Sequence, residues 1–249
     1  MIIIEEALPK DKFEIILEFI LKLVKNSIES RDDFIVWNGI RVYQKFLISE
    51  ADFQGEGKLI QLRQRFVKDK TLNQLLKIFL NKPYKNEMIV NNAAIAIGYI
   101  YKAMRIPDEF GEAIIKHNKV IISQPYIFIP VRALVGLGYL AECQDNHQQI
   151  LANNFLQNIS DILVDDKQKE QQFVEALTLL IKLFKYGTQE TKELILDQIK
   201  IPRIESFTQH YDNDISTKAL ALLKEIEEEK MSVEDKKELK KCEHDMKQI

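Results

Sequence analysis

Asn91-Asn92-Ala93-Ala94-Ile95-Ala96-Ile97-Gly98-Tyr99 and Val131-Arg132-Ala133-Leu134-Val135-Gly136-Leu137-Gly138-Tyr139 read as two copies of one pattern, 40 residues apart. Three more segments stack on the same small residue: Val36 to Tyr43, Val174 to Leu180 and Thr217 to Leu223. The anchors are Gly39, Ala93, Ala133, Ala176 and Ala219, at intervals of 54, 40, 43 and 43 residues. Self-similarity at such a period marks a repeat architecture. A helix held between two neighbours needs Ala or Gly where the backbones cross most closely. Positions +1, +4 and +8 from the anchor are mostly apolar: Ala94, Ile97 and Tyr101; Leu134, Leu137 and Ala141; Leu177, Leu180 and Phe184. That is the stripe of a core-facing helix.

The intervals hold further helical segments: Leu72 to Leu80, Phe110 to Ile122, Asn154 to Leu163 and Thr191 to Ile199. Pro83, Pro107, Pro125, Pro130 and Pro202 fall at their boundaries, and Gly187 reads as a C-cap. Asp108 reads as a helix start, as does Ser232 with Asp235 three residues on. A capping helix is predicted over about 11–29. A loop that lengthens the first interval is predicted over about 50–58, around the Gly-rich Asp52-Phe53-Gln54-Gly55-Glu56-Gly57-Lys58.

The chain has 249 residues, is 46% hydrophobic and 29% charged, and carries a net charge of -3. Eight Gly and six Pro are too few for an all-β fold full of tight turns. Cys143 and Cys242 lie far apart in no metal-type spacing, which predicts a reducing, cytoplasmic setting. Acid at Glu5 and Glu6 stands where a secretory signal carries base. The apolar run Phe13 to Val24 is broken by Glu14, Glu18 and Lys22, so no membrane insertion is expected.

A unit of about 42 residues whose long last helix carries a small residue near its start resembles the armadillo repeat and its HEAT relative. Arg132 to Ala141 is similar to the third helix of an armadillo unit, and the likeness spans roughly Phe34 to Glu229. It departs where the usual Gly between the first two helices is missing, and in the overlong first interval. The resemblance implies an all-α, right-handed α-solenoid over residues 1–230, followed by a charged helical tail over 231–249. It also implies a concave surface lined by the last helices, which holds an extended peptide or another protein. Such proteins often serve as subunits of large assemblies, cytoskeletal and ciliary ones included.

Carried onto these helices, the groove positions form a ladder of polar residues. The candidate protein-binding residues are Arg41, Lys45, Asn92, Tyr99, Lys102, Arg132, Tyr139, Lys182 and Lys185. Asn38, Glu142, Glu175, Lys218, Glu225 and Glu228 complete the ladder. Asn, Tyr, Arg and Lys suit hydrogen bonding to a peptide backbone and pairing with acidic side chains. Tyr99 and Tyr139 are the leading anchors, because exposed Tyr is enriched at binding hot spots. The same positions also read as the solvated face that every amphipathic helix must have. A single Trp, Trp37, at a helix start gives no repeated Trp-Asn array, so an import receptor for basic localisation peptides is poorly supported.

No nucleotide fingerprint, zinc-protease or nucleophile-elbow motif is present. The four His are scattered, and Cys242-Glu243-His244 lacks the further ligands a zinc site needs. No cofactor or metal is expected. Leu239, Cys242, Met246 and Ile249 form a narrow seam that could dock a partner helix or cap the last repeat, with a solvated, fraying helix the favoured reading. The reading is a non-catalytic scaffold or adaptor for proteins, including extended or acidic peptide segments. A nucleic-acid-binding solenoid is the alternative, against which the net charge argues. An enzyme whose residues converge from several repeats is the third.

Overall fold

The computed structural model describes residues 10–124, 128–165 and 169–246, with side chains from Leu17 to Met231 within those spans. All described elements are helical. The chain divides into two compact units, residues 1–153 and 154–249.

The first unit begins with α1 (Lys10–Ile28) and α2 (Asp33–Gln54), followed by the short α3 (Leu62–Lys68) and α4 (Thr71–Asn81). Then come α5 (Glu87–Ile100), α6 (Asp108–Ile122), α7 (Ile129–Leu140) and a one-turn α8 (His147–Leu151). The anchored helices form one layer, with α2 against α5 and α5 against α7. Behind it, α1 backs α2, α4 backs α5, and α6 packs on both α5 and α7. The second unit holds α9 (Phe155–Val164), α10 (Glu170–Tyr186), α11 (Gln189–Gln198), α12 (Ile201–Phe207) and α13 (Asn213–Met246). There α10 packs on α13, with α9 and α11 against α10 and α12 against α13.

Local chemistry accounts for the ends. Asp32 caps α2 by accepting from the Phe34 and Ile35 amides at 2.9 and 3.1 Å. Asn86 caps α5 through the Met88 amide, and Thr188 caps α11 through that of Thr191. Pro107 sits at the N-cap of α6, while Pro130 and Pro202 occupy the first turns of α7 and α12, where a missing N–H costs nothing. Pro125 lies outside the described residues.

The anchors stand where helices meet. Ala93, Ala133, Ala176 and Ala219 are fully buried. A Cβ added to Gly39 would lie 2.8 Å from that of Ser27 in α1, closer than any packed pair. Gly187 ends α10, yet its φ of -78° is open to any residue. Space selects it instead, since an added Cβ would come within 2.3 Å of the Leu183 carbonyl oxygen. Gly187→Ala is therefore expected to destabilise the second unit by about 1–3 kcal/mol as overpacking, read as a lowered denaturant midpoint. An unchanged midpoint would show that the helix end yields freely.

Two boundaries differ from the sequence-based expectation. The first-interval loop does not begin at 50, because α2 runs on to Gln54 and ends at Gly55 with φ +80°. Glu50 and Ala51 are buried within that helix, and no Gly or Pro stands between Gly39 and Gly55. Nor does a helix start at Ser232. No Pro or Gly interrupts Ala219 to Ser232, and α13 continues through it as one helix of 34 residues. The seam proposed for the tail falls on side chains outside those described.

Candidate functional site

In the first unit the ladder residues of successive repeats meet, but largely with each other. Helix α5 is buried on every side from Ile89 to Lys102, so the polar face expected opposite its apolar stripe is not solvated. One signal in the sequence marks this: no charged residue occurs between Glu87 and Lys102. A helix apolar all round belongs inside.

At the N-terminal end of the ladder, Asn92 is fully buried and donates from Nδ2 to the Met88 carbonyl at 2.6 Å. Gln44, reaching from α2, donates from Nε2 to the Asn92 carbonyl at 2.8 Å. Arg132, one repeat later, donates from Nη1 to Asn92 Oδ1 at 3.1 Å and to Gln44 Oε1 at 3.4 Å. Gln44 was not among the predicted site residues, since a pairing across 48 residues leaves no local trace.

In the middle, Tyr99 is 0% exposed and Tyr139 7%. The expectation that both are exposed anchors is thereby corrected. Their rings meet edge to face at 5.4 Å, and Tyr99 Oη donates to the Arg132 carbonyl at 3.0 Å. A buried phenol needs a partner for its hydroxyl, and the backbone of the next repeat supplies it.

At the C-terminal end, Lys102 and Glu142 form an ion pair at 2.6 Å with 2% and 1% of their side chains exposed. Lys102 Nζ also donates to the carbonyls of Gly55 at 2.8 Å and Lys58 at 2.9 Å, so all three of its hydrogens are used. The Gly57 amide donates to Glu142 Oε2 at 2.8 Å. Residues 55–58 thus lie across the +9 positions of two repeats as a strap. Its far end is pinned by buried Ile60 and by Glu50, whose Oε1 accepts from the Gln61 and Leu62 amides at 2.6 and 3.0 Å.

What remains accessible is cationic. Lys45 is exposed, Arg41 and Arg132 are half-buried, and none of the three pairs with a carboxylate among the described residues. Burial, reinforced by the Arg41 charge and opposed by Tyr99, lowers the pKa of the Arg132 guanidinium, which still stays charged. Arg41 lies over the Trp37 ring at 4.6 Å, and Phe34 leans on the same indole with centroids 6.2 Å apart. Trp37 is therefore half-buried at the first turns of α2, and its Nε1 has no hydrogen-bond acceptor among the described residues.

In the second unit Lys182 is half-buried on α10, and exposed Lys185 holds its Nζ 5.7 Å from the Tyr186 ring. Glu175 accepts from Gln171 at 2.9 Å, and Glu228 pairs with Lys224 along α13. Lys218 and Glu225 are half-buried on the same helix.

Two histidines sit behind the ladder. His147 hydrogen-bonds through Nε2 to the Ala141 carbonyl at 2.7 Å, and its buried Nδ1 has no hydrogen-bond partner among the described residues. His117 meets Asn91 Oδ1 at 2.8 Å and the Phe79 ring edge to face. Burial lowers the pKa of both; Lys82 adds to this at His117 against Glu87, and the carbonyl opposes it at His147. The unfolded chain takes up these protons near pH 6.5, whereas the folded chain resists them. Stability is thus full above that pH and falls as pH drops through it. The melting temperature should be lower at pH 5.5 than at 7.5, and His117→Gln with His147→Gln should flatten that difference; an equal slope in the variant would contradict the assignment.

Among the described residues, no cluster of three His, Cys, Asp or Glu could hold a metal ion, and no helix is long and apolar enough to cross a membrane. Cys143 is half-buried and unbridged.

No family model and no curated protein matches the sequence. Solved structures do match the fold. A designed armadillo repeat protein in complex with the peptide (KR)4 superposes with a TM-score of 0.59 at 14% identity, covering 83% of this chain and 81% of that one. The fold is that of an armadillo-like repeat solenoid. Computationally designed armadillo repeat proteins for modular peptide recognition give a TM-score of 0.58 at 14% identity over 83% of this chain and 82% of theirs. An engineered protein gives 0.61 at 16% identity over 83% and 78%. The armadillo-like layer is what sets Asn92 beside Arg132, Tyr99 beside Tyr139 and Lys102 beside Glu142, each pair 40 residues apart.

Proposed function

We propose that the chain is a non-catalytic scaffold that binds an acidic, extended segment of a protein partner on the face of the first unit carrying Arg41, Lys45 and Arg132. An armadillo-like scaffold suits peptide binding, and the repeats hold these side chains on α2 and α7, the two helices that flank α5. The carrying observation is three cations with no carboxylate among the described residues to neutralise them. A half-buried guanidinium already bonded only to neutral oxygens gains most from a carboxylate that reaches it. The designed neighbour was solved with a basic peptide; the charge on this face calls for the opposite.

The chain carries its own reporter, because its one Trp lies directly beneath Arg41. Titrating an eight-residue Glu/Ser peptide should change Trp37 emission saturably, with an apparent affinity that weakens as salt is raised. No change, or the same change with an all-Ser peptide, would remove the proposal.

A further inference from the structure

A buried ion pair is a poor stabilising device, because desolvating both charges offsets most of their attraction. Lys102 and Glu142 nevertheless sit at equivalent ends of two successive repeats, almost fully enclosed. Three further bonds of the pair go to main chain: two Lys102 hydrogens to the carbonyls of Gly55 and Lys58, and the amide of Gly57 to Glu142 Oε2. The lysine reads carbonyls and the glutamate reads an amide, on one short stretch of irregular backbone. Gly55 and Gly57 lie at φ +80° and +72°, conformations that a Cβ would strain. The first interval exceeds the other three by about a dozen residues, and the strap lies within that excess.

We propose that Lys102 and Glu142 form a main-chain-gripping site for a short, Gly-containing extended peptide, and that residues 55–58 fill it in cis. The strap is then an internal occupant, and a partner segment of the same kind enters when the strap leaves. This site is distinct from the cationic face and does not depend on the acidic-peptide reading.

The test ejects the strap without touching the site. Gly57→Pro removes the amide that Glu142 accepts from and cannot adopt φ +72°. A labelled peptide with the sequence of residues 53–60, Phe-Gln-Gly-Glu-Gly-Lys-Leu-Ile, is titrated by fluorescence anisotropy into each chain. It should bind Gly57→Pro at least tenfold more tightly than the unaltered chain, and adding Lys102→Met should return it to the unaltered level. Equal binding to all three chains, or none to a Gly57→Pro chain whose circular dichroism is native, would overturn the proposal. If Gly57→Pro fails to fold, trypsin cleavage after Lys58 in the unaltered chain supplies the decision. Millimolar peptide with glutamine in place of its lysine, which trypsin does not cut, should accelerate it by releasing the strap, and an unchanged rate would overturn the proposal.

Discussion

Replacing Tyr99 with alanine should cost the first unit about 3–5 kcal/mol, the usual range for truncating a buried aromatic side chain. Its ring is completely enclosed, its edge-to-face partner is Tyr139, and its hydroxyl bonds to the backbone of the following repeat. The truncation therefore removes packing on two adjacent repeats at once, together with the hydroxyl's bond to the Arg132 carbonyl. At the size of this unit the loss corresponds to a melting temperature lower by roughly 10 °C. Tyr99→Phe keeps the ring and loses only the hydroxyl bond, a loss of about 1 kcal/mol. Thermal unfolding followed by circular dichroism separates the two. An alanine variant that melts with the unaltered chain would mean that the ring is not packed as described. The same experiment decides between tyrosines as core and tyrosines as surface anchors, since an exposed anchor leaves the melting temperature alone.

Reversing the accessible charges should have the largest effect on binding. Arg41→Glu with Lys45→Glu replaces two attractions to an acidic peptide with two repulsions. With each exposed pair worth about 0.5 kcal/mol, the double reversal weakens binding by about 2 kcal/mol, or thirtyfold. Arg132 is left unaltered in this test because it also ties Gln44 to Asn92, and its loss would confuse binding with packing. The double variant should retain its melting temperature, since Lys45 is exposed and Arg41 gives up only its contact with Trp37. Undiminished affinity in a folded double variant would place the binding face elsewhere.

The repeat was legible because its cause is local. A small residue at each tight crossing and an apolar stripe around it recur along the chain, and Gly39, Ala93, Ala133, Ala176 and Ala219 do occupy such crossings in buried helices. Helix ends were legible for the same reason, through Pro107, Pro130 and Pro202. The neighbours along the ladder were also readable from spacing alone, because a fixed period sets equivalent residues side by side. What failed was the assumption that polar means solvated. Asn92, Tyr99 and Lys102 are polar because their side chains bond across repeats, to the Arg132 guanidinium, to the Arg132 backbone, and to Glu142 and the strap. Those partners are remote in the chain, and nothing in the local pattern reports them. The strap illustrates the same limit. Its glycines announced a loop, but only its meeting with Lys102 and Glu142 shows what the loop covers.

The most direct measurement is a pair of calorimetric titrations of the full chain at low salt, one with an eight-residue Glu/Ser peptide and one with (KR)4. Binding of the acidic peptide alone, with one site and an affinity that falls as salt is added, is the expected result. Binding of (KR)4 in preference, or of neither peptide, would contradict the assignment of Arg41, Lys45 and Arg132 as an acidic-peptide face.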